Sequence, residues 1–382
     1  MITEYLRQVR SVFVSLRLTV VLIALSIVLV FWATLDQVHL GVWGVQQKFF
    51  HSFFVYQGLG ELRVPVYPGG YLIGGLLLVN LLSAHLYRFK AGWRKSGIWI
   101  AHAGLILLLL GELASGLLQR DYQMRLDEGE TKNYAESSRR NELAIIDVTD
   151  PGFDDVVAIP ESLLAGGKVV QNPKLPFKVV PRGFVPNSEI RMRSEVPNAP
   201  PSPATAGMGP MVAVVPLEVT YQEDERNLPS AFVELAGPDG PIGTWLVSAG
   251  LGNPQTFPYG GRSWKIVMRP ERRYQPFSLT LEKFSHDIYP GTDIPKNFSS
   301  RVRINAPDGG PGREVLIYMN NPLRYAGLTY YQASFDGDRT TILQVVRNPS
   351  WLIPYISCAA IALGLVIQFL IHLAGFARGR RA

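Results

Sequence analysis

The sequence predicts an integral membrane protein with four transmembrane α-helices and a large all-β extracytoplasmic domain. Three observations lead there. Four apolar runs are long enough for a bilayer, and three clusters of basic residues sit at their ends. A long stretch between the last two runs carries short alternating segments split by Gly, Pro, Asn and Asp. Composition agrees, since 47% of the 382 residues are hydrophobic and only 18% are charged, a low share for a soluble protein. The formal charge of +6 is no sign of a nucleic-acid face: Arg7, Arg10, Arg17, Arg88, Lys90, Arg94, Lys95 and Arg378 all flank apolar runs.

A membrane domain over residues 1–118 holds the first three spans, at about 18–35, 71–87 and 98–118. A bilayer core requires roughly 20 apolar residues. The first span reads as a retained anchor, because its apolar core is long and Trp32-Ala33-Thr34-Leu35-Asp36 is a poor cleavage site. The fourth helix covers 351–376 and leads into a basic tail, 377–382. An even number of spans puts the three basic clusters on one side, which the positive-inside rule makes cytoplasmic, so both termini are cytoplasmic. The 36–66 loop, rich in Phe, Tyr and Trp, is expected to lie in the interface as a short helix. Gly70 with Gly74, and Gly111 with Ser115, have the spacing that lets helix backbones approach, and Asn80 suits an interhelical hydrogen bond.

Residues 119–350 form the β-rich domain. Glu142–Val148, Met211–Tyr221, Ser263–Met268, Phe277–Phe284, Arg301–Ile304 and Thr340–Val346 read as strands of a sandwich or open barrel. The segment Pro197–Pro210 is so rich in Pro and Gly that it reads as a mobile loop or lid.

The chemistry is narrowed by what is missing. Cys358 is the single cysteine, so there is no intramolecular disulfide, no CxxC dithiol and no CxxCH for covalent haem. No phosphate-binding glycine loop, HExxH or GxSxG is present, and no residue is assigned a catalytic role. Ionisable residues within the spans are the better lead, being costly in lipid. His85, His102 and His372 all fall near the cytoplasmic end of a span. Such histidines either ligate a haem iron, two helices supplying one each, or snorkel to the interface. Ala101, Ala103 and Gly104 leave a flat surface beside His102 that a porphyrin could use. Glu112 lies farther out and about 80° off that face, suited to pairing in the bundle or snorkelling. His39 and His51 face the other side, as solvated residues or ligands of a second site.

Several segments resemble the ResB (CcsB-type) cytochrome c biogenesis family. They are Ser96-Gly-Ile-Trp-Ile-Ala-His-Ala-Gly at the start of the third span, Leu126-Asp-Glu-Gly-Glu-Thr, Asp287-Ile-Tyr-Pro-Gly-Thr-Asp, and Met319-Asn-Asn-Pro-Leu-Arg-Tyr-Ala-Gly-Leu-Thr-Tyr-Tyr-Gln. The resemblance implies a bacterial cytoplasmic (inner) membrane protein of the system II haem lyase. There a multi-span CcsA/ResC-like subunit and this chain would deliver haem b, held transiently and without covalent bonds, to CxxCH of apocytochrome c. It implies that His102 ligates the haem iron; His85 rests on its position alone. The family's tryptophan-rich loop is absent, so the chain is expected to be at most a non-autonomous subunit of the lyase. Arg324 would contact a haem propionate or pin a loop at the membrane surface. The reading from another class is a haem-free membrane scaffold or sensor whose β domain binds an extracytoplasmic ligand.

Overall fold

The computed structural model describes residues 10–59, 62–87, 92–222, 225–291, 295–310 and 312–379. Arg7, Arg88, Lys90, Arg380 and Arg381 of the basic clusters lie outside them. The chain divides into a membrane unit, which runs to Arg120, takes in Tyr221 and Gln222 and resumes at Arg347, and a β-rich unit formed by the remainder.

The membrane unit is built on α1 (Leu16–Val45), α2 (Gly70–Tyr87), α3 (Ser96–Leu118) and α4 (Ile353–Gly379). Among the described residues these four helices are long and apolar enough to cross a membrane. The side chain of Ser15 caps α1 by accepting from the Arg17 N–H. Asn80 ties α2 to this end of α1. Its amide accepts from Thr19 Oγ1 at 2.6 Å and donates to the carbonyls of Phe13 and Ser15 at 2.7 and 3.2 Å. An amide in an apolar span is tolerated only with such partners.

The aromatic stretch after the first span differs from the expected interfacial helix. Helical geometry breaks at Gly41, whose φ of +65° suits glycine. A Cβ there would also stand 3.1 Å from the Tyr221 carbonyl oxygen. A wide helical turn, Gln46–Phe50, then sets Phe49 against Trp32 at 5.4 Å and Lys48 against Asp36 at 2.7 Å. Next comes a hairpin of β1 (Phe54–Leu59) and β2 (Leu62–Pro68), in which Val55 pairs with Tyr67. Burial of Val55 and packing of Tyr67 on Trp32 favour strand over helix in this segment.

Helices α3 and α4 pack through a seam of small residues. Gly97, Gly104 and Gly111, seven apart, are the buried residues of α3. A Cβ on Gly104 would lie 2.9 Å from the Ser357 carbonyl, and one on Gly364 would lie 2.5 Å from the Ala101 nitrogen. The flat surface of Ala101 and Gly104 is therefore taken by α4, not left for a porphyrin. The Gly74 site has nothing within 4 Å, and Ser115 meets the Ser350 hydroxyl at 2.9 Å instead of serving as a backbone contact. Asn348 completes this clasp, donating to Ser115 Oγ and Gln119 Oε1 and accepting from the Ser350 hydroxyl. Gly364→Val should push the helices apart, because the clash is with backbone that cannot rotate away. We expect a clear fall in the melting temperature of the purified protein, with Gly375→Val, at an open site, nearly unchanged.

The β-rich unit contains β3 (Arg120–Asp127), β4 (Thr131–Asp147), β5 (Asp155–Pro160), β6 (Lys178–Val185), β7 (Ser188–Met192), β8 (Val212–Pro216), β9 (Ser230–Gly237) and β10 (Gly240–Ser248). It continues with β11 (Gln255–Tyr259), β12 (Arg262–Ile288), β13 (Pro295–Asn305), β14 (Arg313–Tyr318), β15 (Leu323–Tyr325), β16 (Leu328–Asp336) and β17 (Thr340–Arg347). The large sheet runs β14-β13-β12-β4-β3-β17-β16-β15, with β11 on β12 and β5 on β4. The long strands β4 and β12 pass through two separate cores. One, around Leu143, Ile145, Trp264 and Ile266, is covered by the smaller sheet β10-β9-β6. The other, around Met124, Leu279, Val302, Tyr330 and Val345, draws on β3, β12, β13, β16 and β17 of the large sheet. Between them the register slips beside Pro270, so the proline, lacking an N–H, sits at a bulge.

Two expectations need correction here. Ser263–Met268 and Phe277–Phe284 are one strand, since the bulge absorbs the proline that separated them in the sequence. The Pro197–Pro210 segment is packed, not a loose lid. Ala204 is buried with Val212 and Leu246, Ala206 bridges Trp245, and Met208 N–H donates to Gln255 at 2.9 Å. Those contacts satisfy the backbone that the prolines cannot put into a ladder.

Candidate functional site

The last turn of α2 and the first turns of α3 bring His85 and His102 together. Their ring centroids are 5.0 Å apart at an interplanar angle of 88°. Trp99 completes the group, its ring 4.9 Å from that of His85, also edge-on. Trp99 and His102 are three residues apart, so they share a face of α3 and flank the His85 ring. The tryptophan was not singled out from the sequence. Its signal was that spacing, one helical turn before the histidine.

His85 is buried, with 7% of its surface exposed, and His102 is half-buried. The Nδ1 of His85 lies 3.1 Å from the Leu81 carbonyl oxygen. A carbonyl can only accept, so Nδ1 carries the proton and Nε2 holds the lone pair. Such a hydrogen bond fixes the tautomer and orientation of metal-ligating histidines. The start of α3 is held as well. Gln368 of α4 accepts from the Ile98 N–H at 3.3 Å and donates to the Arg94 carbonyl at 3.2 Å. The site is thus placed by an α2–α3 contact on one side of α3 and by the glycine seam on another.

The pair fits one ligand position better than two on a single iron. Metal–imidazole bonds run about 2 Å, so rings on opposite faces of one iron would have centroids roughly 6 Å apart with a flat macrocycle between. Edge-to-face packing at 5.0 Å leaves no such slot. One imidazole ligating, with the other supporting it, suits the arrangement. Among the described residues no three His, Cys, Asp or Glu side chains gather to hold a metal ion by themselves.

The other histidines stand elsewhere. His372 is exposed on α4 and His39 is exposed on α1. His51 is half-buried, stacked on Tyr71 at 5.6 Å with Nδ1 3.1 Å from the Gln47 amide. Glu112 is exposed on α3. Arg324 is exposed on β15, beside Leu323 and Tyr325, which pack into the second core. The β15–β16 hairpin turns through Ala326 and Gly327, with φ of +49° and +76°, as a tight hairpin twist requires.

That hairpin belongs to the part of the chain that comparison identifies. Residues 243–342 match the family described as ResB-like. The matched segment runs from β10 into β17 and does not include His85 or His102. The chain is 35% identical over 106 residues to Protein NrfI of Wolinella succinogenes, covering 28% of this chain and 12% of that protein. It is 38% identical over 77 residues to Cytochrome c biogenesis protein CcsB of Synechococcus sp. strain CC9311, covering 20% of this chain and 17% of that one. The matched part of the chain therefore spans less than a fifth of the length of each of these relatives.

Proposed function

We propose that this protein is a cytochrome c maturation factor, a subunit that handles haem in the membrane and helps deliver it to CxxCH of apocytochrome c. The observation that carries the reading is the His85–His102 pair within the apolar helices, its ring centroids 5.0 Å apart. A paired imidazole site is costly in lipid unless it is used. The match of residues 243–342 to the ResB-like family, and the similarity of the chain to a protein named for cytochrome c biogenesis, support the same reading.

On this reading haem is cargo, held through one imidazole here. A CcsA/ResC-like multi-span partner supplies the second axial ligand and the surface for bond formation. The basic ends of the helices face the cytoplasm of a bacterial inner membrane, by the positive-inside rule, and the β-rich unit faces outward to receive the apocytochrome. The chain has no attachment chemistry of its own in this scheme; its residues bind, orient and hold. Deleting the gene should cut covalently haem-stained c-type cytochromes to less than roughly a tenth, the scale of losing a required ligand site, and the full-length chain should restore them. Normal cytochrome levels in the deletion strain would sink the proposal in favour of a haem-free scaffold.

A further inference from the structure

A second site lies at the same end of the helices, on the side of α2 turned toward α1. A groove of about 650 Å³ opens between the start of α1 and the end of α2, lined by Arg10, Ser11, Val14, Ser15, Arg17 and Tyr87. The Arg10 guanidinium stands over the Tyr87 ring, 5.2 Å from its centroid. That contact holds the cation at the groove while leaving its N–H edge for a ligand. The Asn80 bonds to the Phe13 and Ser15 carbonyls fix the segment that forms the other wall. Among the described residues, no carboxylate lines the groove.

We propose that this groove binds the phosphate group of an anionic membrane lipid. Two guanidinium groups, with the Ser15 hydroxyl beside them, suit a phosphate's acceptor oxygens. Val14 and the apolar flank of α1 suit the acyl chains that follow from it, and the location at a helix end matches headgroup depth. This goes beyond haem handling and does not depend on it. Free phosphate offers the same oxygens without the chains, so the test must separate the two sources.

The test uses the full chain in nanodiscs containing phosphatidylglycerol and phosphatidylcholine, with retained lipid read by native mass spectrometry after mild release. The wild type should retain phosphatidylglycerol over phosphatidylcholine. The double variant Arg10→Gln/Arg17→Gln should lose that preference roughly 30-fold, as expected for removing two cations near a membrane surface. The control Arg94→Gln/Lys95→Gln, at the same membrane face but outside the groove, should keep it. An equal loss in both variants would mean general attraction to basic residues and would overturn the proposal, as would no preference in the wild type. In phosphatidylcholine-only discs, inorganic phosphate is titrated and followed by its ³¹P line width. Broadening that vanishes in the groove variant, with no lipid preference, would give the groove to free phosphate and overturn the lipid assignment. Retention of phosphatidylglycerol without phosphate broadening supports it.

Discussion

If the proposed function holds, His102→Ala should reduce the Soret absorption of the protein, purified with a co-expressed CcsA/ResC-like subunit, by at least about tenfold, and added imidazole should bring the band back. An axial imidazole is replaceable by free imidazole when the cavity left by the side chain stays open. The contrast with His85 sharpens the test. His85 is buried, with 7% of its surface exposed, whereas His102 is half-buried and so is the more open of the two rings to a macrocycle. His85→Ala should therefore shift or weaken the band without removing it, because it takes away the ring packed edge-on against His102. A band unchanged in His102→Ala would place both axial ligands on the co-expressed subunit and leave this chain as a presenting scaffold.

Glu142→Ala should be the most damaging single change in the β-rich unit. Glu142 and Arg269 are direct cross-strand partners on β4 and β12, joined at 3.0 Å, with only 5% and 11% of their side chains exposed. Removing the carboxylate leaves a buried guanidinium without its counter-charge, a loss of about 3–5 kcal/mol. One of the Arg269 nitrogens, Nη2, already has no hydrogen-bond partner among the described residues, so little is left to compensate. For a domain of this size the melting temperature should fall by about 6–20 °C. The double replacement Glu142→Leu/Arg269→Met should recover most of that, since matched apolar residues often replace a buried ion pair at little cost. If the double variant melts as low as Glu142→Ala, the pair's shape and not its charge balance is what the fold requires. Nearby, burial pushes the Glu161 carboxyl above the ordinary glutamate range, while the Asn141 amide donating to it pulls the other way.

How legible this was in the sequence depended on the length scale of each signal. Runs such as Leu18–Leu35 are long, and lipid leaves a helix no alternative, so the four helices could be read directly. Asn80 could be read because one amide in an apolar run must find partners. That His85 and His102 share one end of their helices could be read from their positions, but the meeting of their rings could not. The Gly41 break was hidden, because its cause is the approach of Tyr221, far away in sequence. The seam at Gly97, Gly104 and Gly111 repeats every seventh residue, and a search for small residues four apart passes over it. In the β-rich unit, Pro270 and the Pro197–Pro210 stretch were misread for one reason. A proline tells where a ladder hydrogen bond is missing, but not whether a bulge or a side chain such as Gln255 makes up for it.

The glycine seam between α3 and α4 also has a consequence in time. The two helices that it joins are separated in the chain by the whole β-rich unit. At about 5–20 residues per second, synthesis of that intervening segment takes roughly 10–50 s. Throughout that interval the groove over Gly97 and Gly104 faces lipid or a chaperone, and the Asn348 clasp on Ser115 does not yet exist. The membrane bundle is the first part of the molecule to be made and the last to close.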